Sequence, residues 1–287
     1  MKVAILGANG QLGSDIAAAY TQAGHEVLPL THETIEVADL ASVRAALEGA
    51  RPDAVINTSA MHNVEACEAD PAKSFAVNGI GARNLAVVTR ELGSYLIHFS
   101  TDYVVDGLKG EPYVETDLAR PLNVYGNTKL AGEHFVLAEN PERGAVVRIS
   151  GVYGMNPCRA KGGMNFIRLM LKLAKERDEI RVVDDEVLTP TFTEDIARQT
   201  LELTGVRPAG LFHATSQGAC SWHAFASRIF DRVGMGHKLH KARPGEFPAK
   251  VKRPSYSVLD NAALRTLGID VMPSWQDAQD RYLNRLL

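Results

Sequence analysis

The sequence predicts an α/β fold, with a doubly wound parallel sheet of the Rossmann type and a smaller C-terminal lobe. The first observation behind this prediction is an apolar run at residues 3–6, which leads directly into three glycines and a helical pattern at residues 11–23. The second is that short apolar runs and helical patterns go on alternating up to residue 150. Such alternation is typical of parallel strands joined by right-handed helical crossovers.

In the first half of the chain, individual residues support the predicted helices and strands. Pro71 begins the helix predicted from that residue, and proline is favoured in the first turn of a helix. The strand at residues 95–99 is apolar or aromatic apart from His98, as expected of a strand that helices cover on both faces. The predicted strands are residues 3–6, 26–30, 54–57, 95–99 and 145–149, and the predicted helices are residues 11–23, 40–48, 71–92 and 121–139.

The second half alternates less regularly. Ser221 is a favoured N-cap for the helix that follows it, and the proline-rich stretch at residues 243–254 predicts a loop. Further predicted helices are residues 164–176, 193–204, 221–233, 261–267 and 274–286, and further strands are residues 180–183 and 211–214. We therefore predict a first domain at residues 1–150, completed by parts of 184–214, and a second lobe made mainly of residues 151–287, with a cleft between them.

Composition and charge restrict the classes of function. With 45% hydrophobic and 23% charged residues among 287, the chain has the composition of a globular protein with a large core. Its net charge of −3 gives no reason to expect nucleic acid or an anionic membrane as a partner. Three widely spaced cysteines, Cys67, Cys158 and Cys220, argue against a disulfide framework or a zinc site. With no signal peptide and no long apolar run, the chain is expected to be cytoplasmic.

The glycine-rich turn predicts a dinucleotide site. It has the spacing G-x-x-G-x-x-G and directly follows the first strand. Glycine permits the tight turn and the close approach of a phosphate, while the next helix offers free N–H groups and a positive dipole end. The alternative is an ordinary strand-to-helix turn without a ligand. The glycine-rich turn stands at the start of a βαβ pattern, however, and this position favours the cofactor site. The predicted contacts are Gly7, Gly10, Gln11, Leu12 and Gly13.

A tyrosine and a lysine lie four residues apart on one face of a predicted helix, at Tyr125 and Lys129. An adjacent ammonium lowers the pKa of a phenol, so this tyrosine can give a proton to a developing alkoxide or take it back. Taken alone, the pair also fits an ordinary surface helix. Thr101, however, follows the fourth strand at the edge where open α/β sheets bind ligands, and its hydroxyl can polarise a substrate carbonyl. The combination predicts oxidoreduction of a carbonyl group.

These motifs resemble those of the extended short-chain dehydrogenases and, among them, the dTDP-4-dehydrorhamnose reductases. The resemblance extends over nearly the whole chain and is most specific in Gly-Gln-Leu-Gly and Ser-Thr-Asp-Tyr-Val. The matching segments are Gly7-x-x-Gly10-Gln11-Leu12-Gly13, Val77-Asn78, Ser100-Thr101-Asp102-Tyr103-Val104-Val105-Asp106-Gly107, Pro121-x-x-x-Tyr125-Gly126-x-Thr128-Lys129-x-x-Gly132-Glu133, Val152-Tyr153-Gly154, Asp184-Asp185, Pro190-Thr191 and Arg253-Pro254-x-x-Ser257-x-Leu259-Asp260. The reaction that the resemblance implies is reduction of the C4 ketone of dTDP-4-dehydrorhamnose to dTDP-rhamnose by NAD(P)H.

The resemblance also implies roles for individual residues. It implies that Thr101 orients the ketone, that Tyr125 donates the proton, and that Lys129 holds the nicotinamide ribose and tunes Tyr125. The implied cofactor contacts beyond the glycine turn are Thr31, Asp39, Leu40, Ser59, Ala60, Met61 and Asn78, together with Tyr125 and Lys129. The implied substrate contacts are Thr101, Asp102, Tyr103, Gly151 and Arg253. Arg253 suits recognition of a diphosphate and, equally, a salt bridge between the lobes.

Two departures from the family pattern lie on the substrate side. Gly151 stands where characteristic members carry a tryptophan, which leaves the sugar pocket wider unless a neighbour such as Tyr153 or Met155 fills it. Residues 185–191 are Asp-Glu-Val-Leu-Thr-Pro-Thr in place of Asp-Gln-x-Gly-x-Pro-Thr. We therefore expect weaker activity on dTDP-4-dehydrorhamnose than in relatives with the tryptophan.

The end of the second strand bears on the choice of cofactor. NAD-specific relatives commonly carry an acidic residue there, and NADP-users a basic one. This chain has Thr31 and His32 instead. We predict NADPH, with NADH as the alternative.

Two other functions are compatible with the scaffold. A sugar-nucleotide epimerase or dehydratase shares the catalytic motif, but dehydratases usually carry a further acid where Tyr103 follows Asp102. The chain is also similar to the regulatory β subunit of methionine adenosyltransferase, which keeps the nucleotide fold to bind a partner. The intact Thr101, Tyr125 and Lys129 favour an enzyme. We predict a nucleotide-sugar substrate and no metal, and we leave a homodimer open.

Overall fold

The computed structural model describes residues 1–158, 162–243 and 245–287. Its strands are β1 (Lys2–Leu6), β2 (Glu26–Leu30), β3 (Ala54–Asn57), β4 (Tyr95–Thr101), β5 (Gly144–Ile149), β6 (Val152–Tyr153), β7 (Ile180–Val182), β8 (Val187–Leu188), β9 (Thr191–Phe192), β10 (Gly210–His213), β11 (Cys220–Ser221) and β12 (Leu239–Lys241). Its α-helices are α1 (Gln11–Gln22), α2 (Leu40–Glu48), α3 (Val64–Ala69), α4 (Pro71–Phe75), α5 (Gly81–Leu92), α6 (Val124–Glu139), α7 (Phe166–Glu176), α8 (Thr193–Val206), α9 (Trp222–Arg232), α10 (Ala262–Thr266) and α11 (Trp275–Leu286). Within these ranges, no helix has the length and apolar character needed to cross a membrane.

The predicted doubly wound α/β fold is confirmed. Six strands form the central sheet in the order β10-β5-β4-β3-β1-β2, and all neighbours are parallel. Alternate residues of a strand serve opposite faces: Val3 and Ile5 join the core under α1, α8 and α10, whereas Ala4 and Leu6 join the core under α2, α5 and α6. The edge strand β10 comes from the late segment that the sequence predicts to complete the first domain.

The carboxyl ends of the strands meet at one edge of the sheet. Leu6 is in register with Asn57, and Asn57 is in register with His98. Further along, Thr101 is in register with Ile149. The glycine turn after β1, the loop after β3 and the end of β4 therefore lie side by side, at the edge where such sheets bind ligands.

The second lobe has an aromatic core of its own. Tyr153 of β6 stacks on Phe192 of β9 with ring centroids 5.6 Å apart, and Tyr282 of α11 meets Tyr153 edge-on at 5.3 Å. Phe225 of α9 completes the group. β6 pairs with β9, so this core begins immediately beyond the end of β5.

The helix predicted over residues 71–92 is interrupted. α4 ends at Phe75, a π-helical turn follows at Ala76–Ile80, and α5 begins at Gly81. The turn contains Asn78, whose side chain bonds to the loop after β3 and to α6. π-helical turns inside helices occur frequently at functional sites, and periodicity along the sequence gives no sign of them.

The start of α6 and the presence of α3 also differ from the prediction. α6 begins at Val124 instead of Pro121, because the Asn123 side chain caps it by accepting the N–H of Gly126 at 2.8 Å. α3 was not predicted; Asn63 caps it by accepting the N–H of Ala66 at 2.9 Å.

Candidate active site

A cavity of 360 Å³ lies between the carboxyl edge of the sheet and the second lobe. The residues predicted for catalysis and for substrate contact all line it: Thr101, Asp102, Tyr103, Tyr125, Lys129, Gly151 and Arg253. Of the predicted cofactor contacts, Gly10, Gln11, Leu12, Gly13 and Ala60 line it as well. The fold thus brings the glycine turn and the Tyr–Lys pair to one space, although they are more than 100 residues apart in sequence.

The glycine turn is packed too closely for side chains. Gly7 has a φ of 74°, and a Cβ there would lie 2.6 Å from Thr58 Oγ1. A Cβ on Gly13 would lie 2.1 Å from the Gly7 carbonyl oxygen, so α1 can start directly on the turn. Gly10 is the N-cap of α1, and no described side chain caps this end. The first N–H groups of α1 are therefore available to an anion, and the turn fits the diphosphate of a dinucleotide.

Three of the implied cofactor contacts, Thr31, Asp39 and Leu40, follow β2 along the chain. The Thr31 hydroxyl accepts the N–H of Glu33 at 3.3 Å, and the exposed Asp39 caps α2 by accepting the N–H of Ala41 at 3.0 Å. Leu40 is the first residue of α2. These bonds shape the edge beside the glycine turn, and contact of this edge with a cofactor stays a prediction.

Asn78 connects the loop after β3 with α6. Its Oδ1 accepts the N–H of Met61 at 2.9 Å, and its Nδ2 donates to the Met61 carbonyl oxygen at 2.9 Å. The same Nδ2 lies 3.0 Å from Thr128 Oγ1, one residue before Lys129. Asn78 thereby holds the loop at Met61 against α6 next to Lys129, and its contact with a cofactor stays a prediction.

Tyr125 stands beside Thr101 in the first turn of α6. Gly126 allows the close approach, since a Cβ there would lie 2.3 Å from the Tyr103 carbonyl oxygen. The rings of Tyr103 and Tyr125 meet edge-on, 5.7 Å apart. The sequence predicts that Lys129 lowers the pKa of the Tyr125 phenol; in the structure burial instead raises this pKa, and the opposing interaction is a hydrogen bond with Thr101. The phenol is therefore protonated at neutral pH and able to donate to an oxygen in the cavity.

Lys129 is buried one turn further along α6, with 2% of its surface exposed. Desolvation lowers the pKa of its ammonium to about 8, and Glu133 opposes this shift. Its Nζ lies 3.3 Å from Nε2 of His98 on β4. Burial and the charge of Lys129 hold the pKa of His98 well below its usual range, so the imidazole is neutral.

The carboxylate of Asp102 accepts hydrogen bonds from three hydroxyl groups of the protein. Its carboxylate accepts hydrogen bonds from Thr101 Oγ1 at 3.1 Å, Ser150 Oγ at 2.8 Å and Ser257 Oγ at 2.6 Å. It is 4% exposed, and desolvation raises its pKa while the three hydroxyls oppose the rise. Asp102 thus joins the ends of β4 and β5 to the loop that carries Arg253, and this bonding leaves it poorly placed to act as a free acid.

The environment of Gly151 corrects one expectation. The sequence predicts a wider pocket there, or one filled by Tyr153 or Met155. In the structure Gly151 has a φ of 55°, and a Cβ would lie 2.9 Å from both Leu188 Cδ1 and Pro190 Cα. The space beside Gly151 is therefore already filled by the segment before β9, while Tyr153 lies in the core of the second lobe.

An aromatic wall of the cavity was missed by the sequence reasoning. Phe166 and Trp222 pack with ring centroids 4.6 Å apart and line the cavity. Trp222 Nε1 donates to Glu186 Oε2 at 3.2 Å. Both rings belong to the first residue of a helix, and the caps Asn165 and Ser221 were the available signals in the sequence. The caps locate helix ends, but only the tertiary structure shows that both ends face one cavity.

Arg253 is held at the cavity by its neighbours. Asn123 Nδ2 donates to the Lys252 carbonyl oxygen at 2.9 Å, and Ser257 bonds to Asp102. The salt bridges found within residues 1–158, 162–243 and 245–287 do not include Arg253. Of its two predicted roles, recognition of an anion in the cavity fits this arrangement better than a bridge between the lobes.

Comparison with known proteins agrees with this architecture. The family described as RmlD substrate binding domain matches residues 1–287. The spore coat polysaccharide biosynthesis protein SpsK of Bacillus subtilis is 37% identical over 282 residues, covering 98% of this chain and 96% of that protein. A dTDP-4-dehydrorhamnose reductase structure from Clostridium acetobutylicum is 38% identical, with a TM-score of 0.94 and coverage of 100% and 99% of the two chains. Another, from Bacillus anthracis in complex with NADP, is 33% identical, with a TM-score of 0.93 and 99% coverage of both.

Full-length coverage at these identities decides the family. The match extends beyond the nucleotide-binding half to the lobe that carries Phe166, Trp222 and Arg253. The chain therefore belongs to the RmlD substrate binding domain family of extended short-chain dehydrogenases, whose relatives include dTDP-4-dehydrorhamnose reductases.

Proposed function

We propose that this protein reduces the C4 ketone of dTDP-4-dehydrorhamnose to dTDP-rhamnose, with NADPH as reductant. The observation that carries the proposal is the placement of Thr101, Tyr125 and Lys129 in one cavity, beside the glycine turn that precedes α1. Relatives with the same full-length match are named for this reaction, and one of them was solved with NADP.

The residues proposed to hold the cofactor are those of the glycine turn and the catalytic helix. The N–H groups at the start of α1 would bind its diphosphate, and Lys129 would hold the nicotinamide ribose. Bound NADPH supplies hydride to the ketone carbon. NADH is the alternative, because Thr31 and the exposed His32 provide neither the acid of an NAD site nor the guanidinium of an NADP site.

Tyr125 is proposed as the proton donor. Its buried phenol is protonated at neutral pH. It would transfer that proton to the substrate oxygen as negative charge develops there. Thr101 orients the ketone; its hydroxyl is held between Asp102 and the N–H of Tyr103, at 3.1 and 3.2 Å. In this structure the hydroxyl proton is donated to Asp102, so Thr101 would turn that proton from Asp102 to the ketone oxygen when substrate binds.

The substrate side of the cavity suits a nucleotide diphosphate sugar. Arg253 offers a guanidinium to the diphosphate, as its fork geometry favours. The rings of Phe166 and Trp222 offer flat apolar surfaces to a base or sugar ring. We further propose a cytoplasmic location from the free cysteines Cys67, Cys158 and Cys220, and a homodimer stays a prediction.

The test is loss of NADPH absorbance with a panel of nucleotide-linked keto sugars. We expect turnover with dTDP-4-dehydrorhamnose, and greater turnover than with keto sugars linked to UDP or GDP. Arg253→Ala should raise the KM for every diphosphate sugar, whereas Lys250→Ala, a nearby exposed lysine, should not. Release of an epimerised or dehydrated product without net oxidation of NADPH would reject the reductase in favour of an epimerase or dehydratase.

A further inference from the structure

Three buried side chains form a chain of contacts from the end of β3 to α6. The Ser59 backbone N–H donates to Asn57 Oδ1 at 3.0 Å, so the Asn57 amide oxygen faces Ser59. Its Nδ2 therefore faces His98 and lies 2.9 Å from the imidazole Nδ1. On the other side of the ring, His98 Nε2 lies 3.3 Å from Lys129 Nζ. Asn57, His98 and Lys129 are 3%, 1% and 2% exposed, so water does not compete for these contacts.

This chain determines which nitrogen of His98 carries the proton. An amide NH₂ can only donate, so Nδ1 of His98 must accept from Asn57 through its lone pair. A neutral imidazole then carries its hydrogen on Nε2. That N–H faces Lys129, where it can donate to a neutral amine but opposes the N–H groups of an ammonium.

We infer that His98 is a positioning residue that controls the charge of Lys129, by presenting a proton donor to the lysine nitrogen through a tautomer selected by Asn57. Its catalytic meaning rests on the proposed function. In the reductase, the charge that Lys129 presents to the cavity would then depend on pH around its pKa of about 8, a value that desolvation already lowers.

The other charged groups around Lys129 do not cancel the effect of the His98 N–H on the charge of Lys129. From its own helix, Glu133 favours the ammonium, and the Tyr125 phenol is neutral. Arg148 of β5 pairs with Glu133 through two bonds of 2.9 and 2.6 Å and so offsets much of the carboxylate charge.

Gly132 provides the room for the ring of His98. A Cβ at Gly132 would lie 3.2 Å from His98 Nε2 and 2.5 Å from the Asn78 carbonyl oxygen. The missing side chain on α6 therefore lets the imidazole lie directly against the helix that carries Lys129.

Two substitutions test the inference, one that should move the pKa of Lys129 and one that should not. Asn57→Asp keeps an acceptor for Ser59 but turns a second acceptor toward His98, so the proton should move to Nδ1 and the Nε2 lone pair should face the ammonium. That change should raise the pKa of Lys129 by about one unit or more, since a donor to the amine is replaced by an acceptor for the ammonium. His98→Gln adds no charge; the Asn57 amide selects its oxygen, so its NH₂ should face Lys129 and the pKa of Lys129 should stay close to that of the wild type.

The readouts do not depend on turnover. The ¹⁵N shifts of the imidazole in the full-length protein report the His98 tautomer, with His98→Gln identifying the signal. The ¹³Cε shift of labelled lysine reports the pKa of Lys129, with Lys129→Met identifying that signal. In the reductase, the alkaline limb of the kcat profile should move to higher pH in Asn57→Asp and stay in place in His98→Gln.

The wild-type tautomer alone can overturn the inference. A proton on Nδ1 in the wild type contradicts it, as does an unchanged Lys129 pKa in Asn57→Asp. If Asn57→Asp does not fold, the wild-type spectrum still decides. If the wild type reduces no keto sugar while both NMR results hold, the proposed function fails and the control of Lys129 by His98 stands.

Discussion

Glu133 and Arg148 form a buried ion pair close to Lys129, and the loss of one partner should lower the stability of the fold strongly. Glu133 accepts two bonds from Arg148 and one, of 2.5 Å, from Ser100 Oγ. Glu133 is 1% exposed and Arg148 is 3% exposed. The pair thus links α6 to β4 and β5 below Lys129, in a place where solvent cannot replace a lost partner.

Removing one partner of this ion pair should lower the free energy of unfolding far more than replacing both partners by apolar residues. Glu133→Ala leaves a desolvated guanidinium without its carboxylate, which typically destabilises a fold by about 3–5 kcal/mol. For a protein of this size that corresponds to a fall in Tm on the order of 10 °C. The double variant Glu133→Leu with Arg148→Met removes both charges and should recover most of the loss, because neither ion is then buried alone.

Urea unfolding of Glu133→Leu, Arg148→Met and the variant with both changes measures this coupling, alongside Glu133→Ala. The control is Lys172→Ala, which breaks an exposed pair with Glu176 and should leave the transition unchanged. A loss below about 1 kcal/mol for Glu133→Ala, or a double variant as unstable as the sum of the singles, would refute the reasoning.

Four further predictions concern the site. Tyr125→Phe should lower kcat by about two to four orders of magnitude, since it removes a positioned acid, with NADPH affinity by calorimetry nearly unchanged. Gly10→Val should abolish NADPH binding in a folded protein, because its φ of −87° accepts a side chain that would enter the phosphate path; the control Gly49→Val places its Cβ in open space. Gly151→Trp should lower Tm and activity instead of improving KM, since its φ is 55° and the space is filled; a lower KM would contradict this. The free energy of unfolding should gain about 3 kcal/mol from Lys129 as pH rises from about 8 to 10.5, because the unfolded chain keeps that proton longer. Urea unfolding across that range should show the gain missing in Lys129→Met, and an equal gain in both proteins would reject it.

The sequence by itself determined the fold class and the order of the main elements, and it predicted the catalytic residues. These follow from local rules. The apolar run of β1 and the glycine spacing after it need no distant partner to be recognised. Tyr125 and Lys129 lie on one helix face through i, i+4 geometry alone, and Thr101 lies at the ligand edge because its strand ends there.

Only the tertiary structure decided what surrounds those residues. Asp102 follows Thr101 in sequence, yet its role depends on Ser257, which lies 155 residues away. Likewise, the surroundings of Gly151 come from Leu188 and Pro190, and the cavity wall at Trp222 comes from another helix end. Pattern and propensity act over a few residues, whereas burial, hydrogen-bond partners and pKa depend on neighbours that only folding brings together.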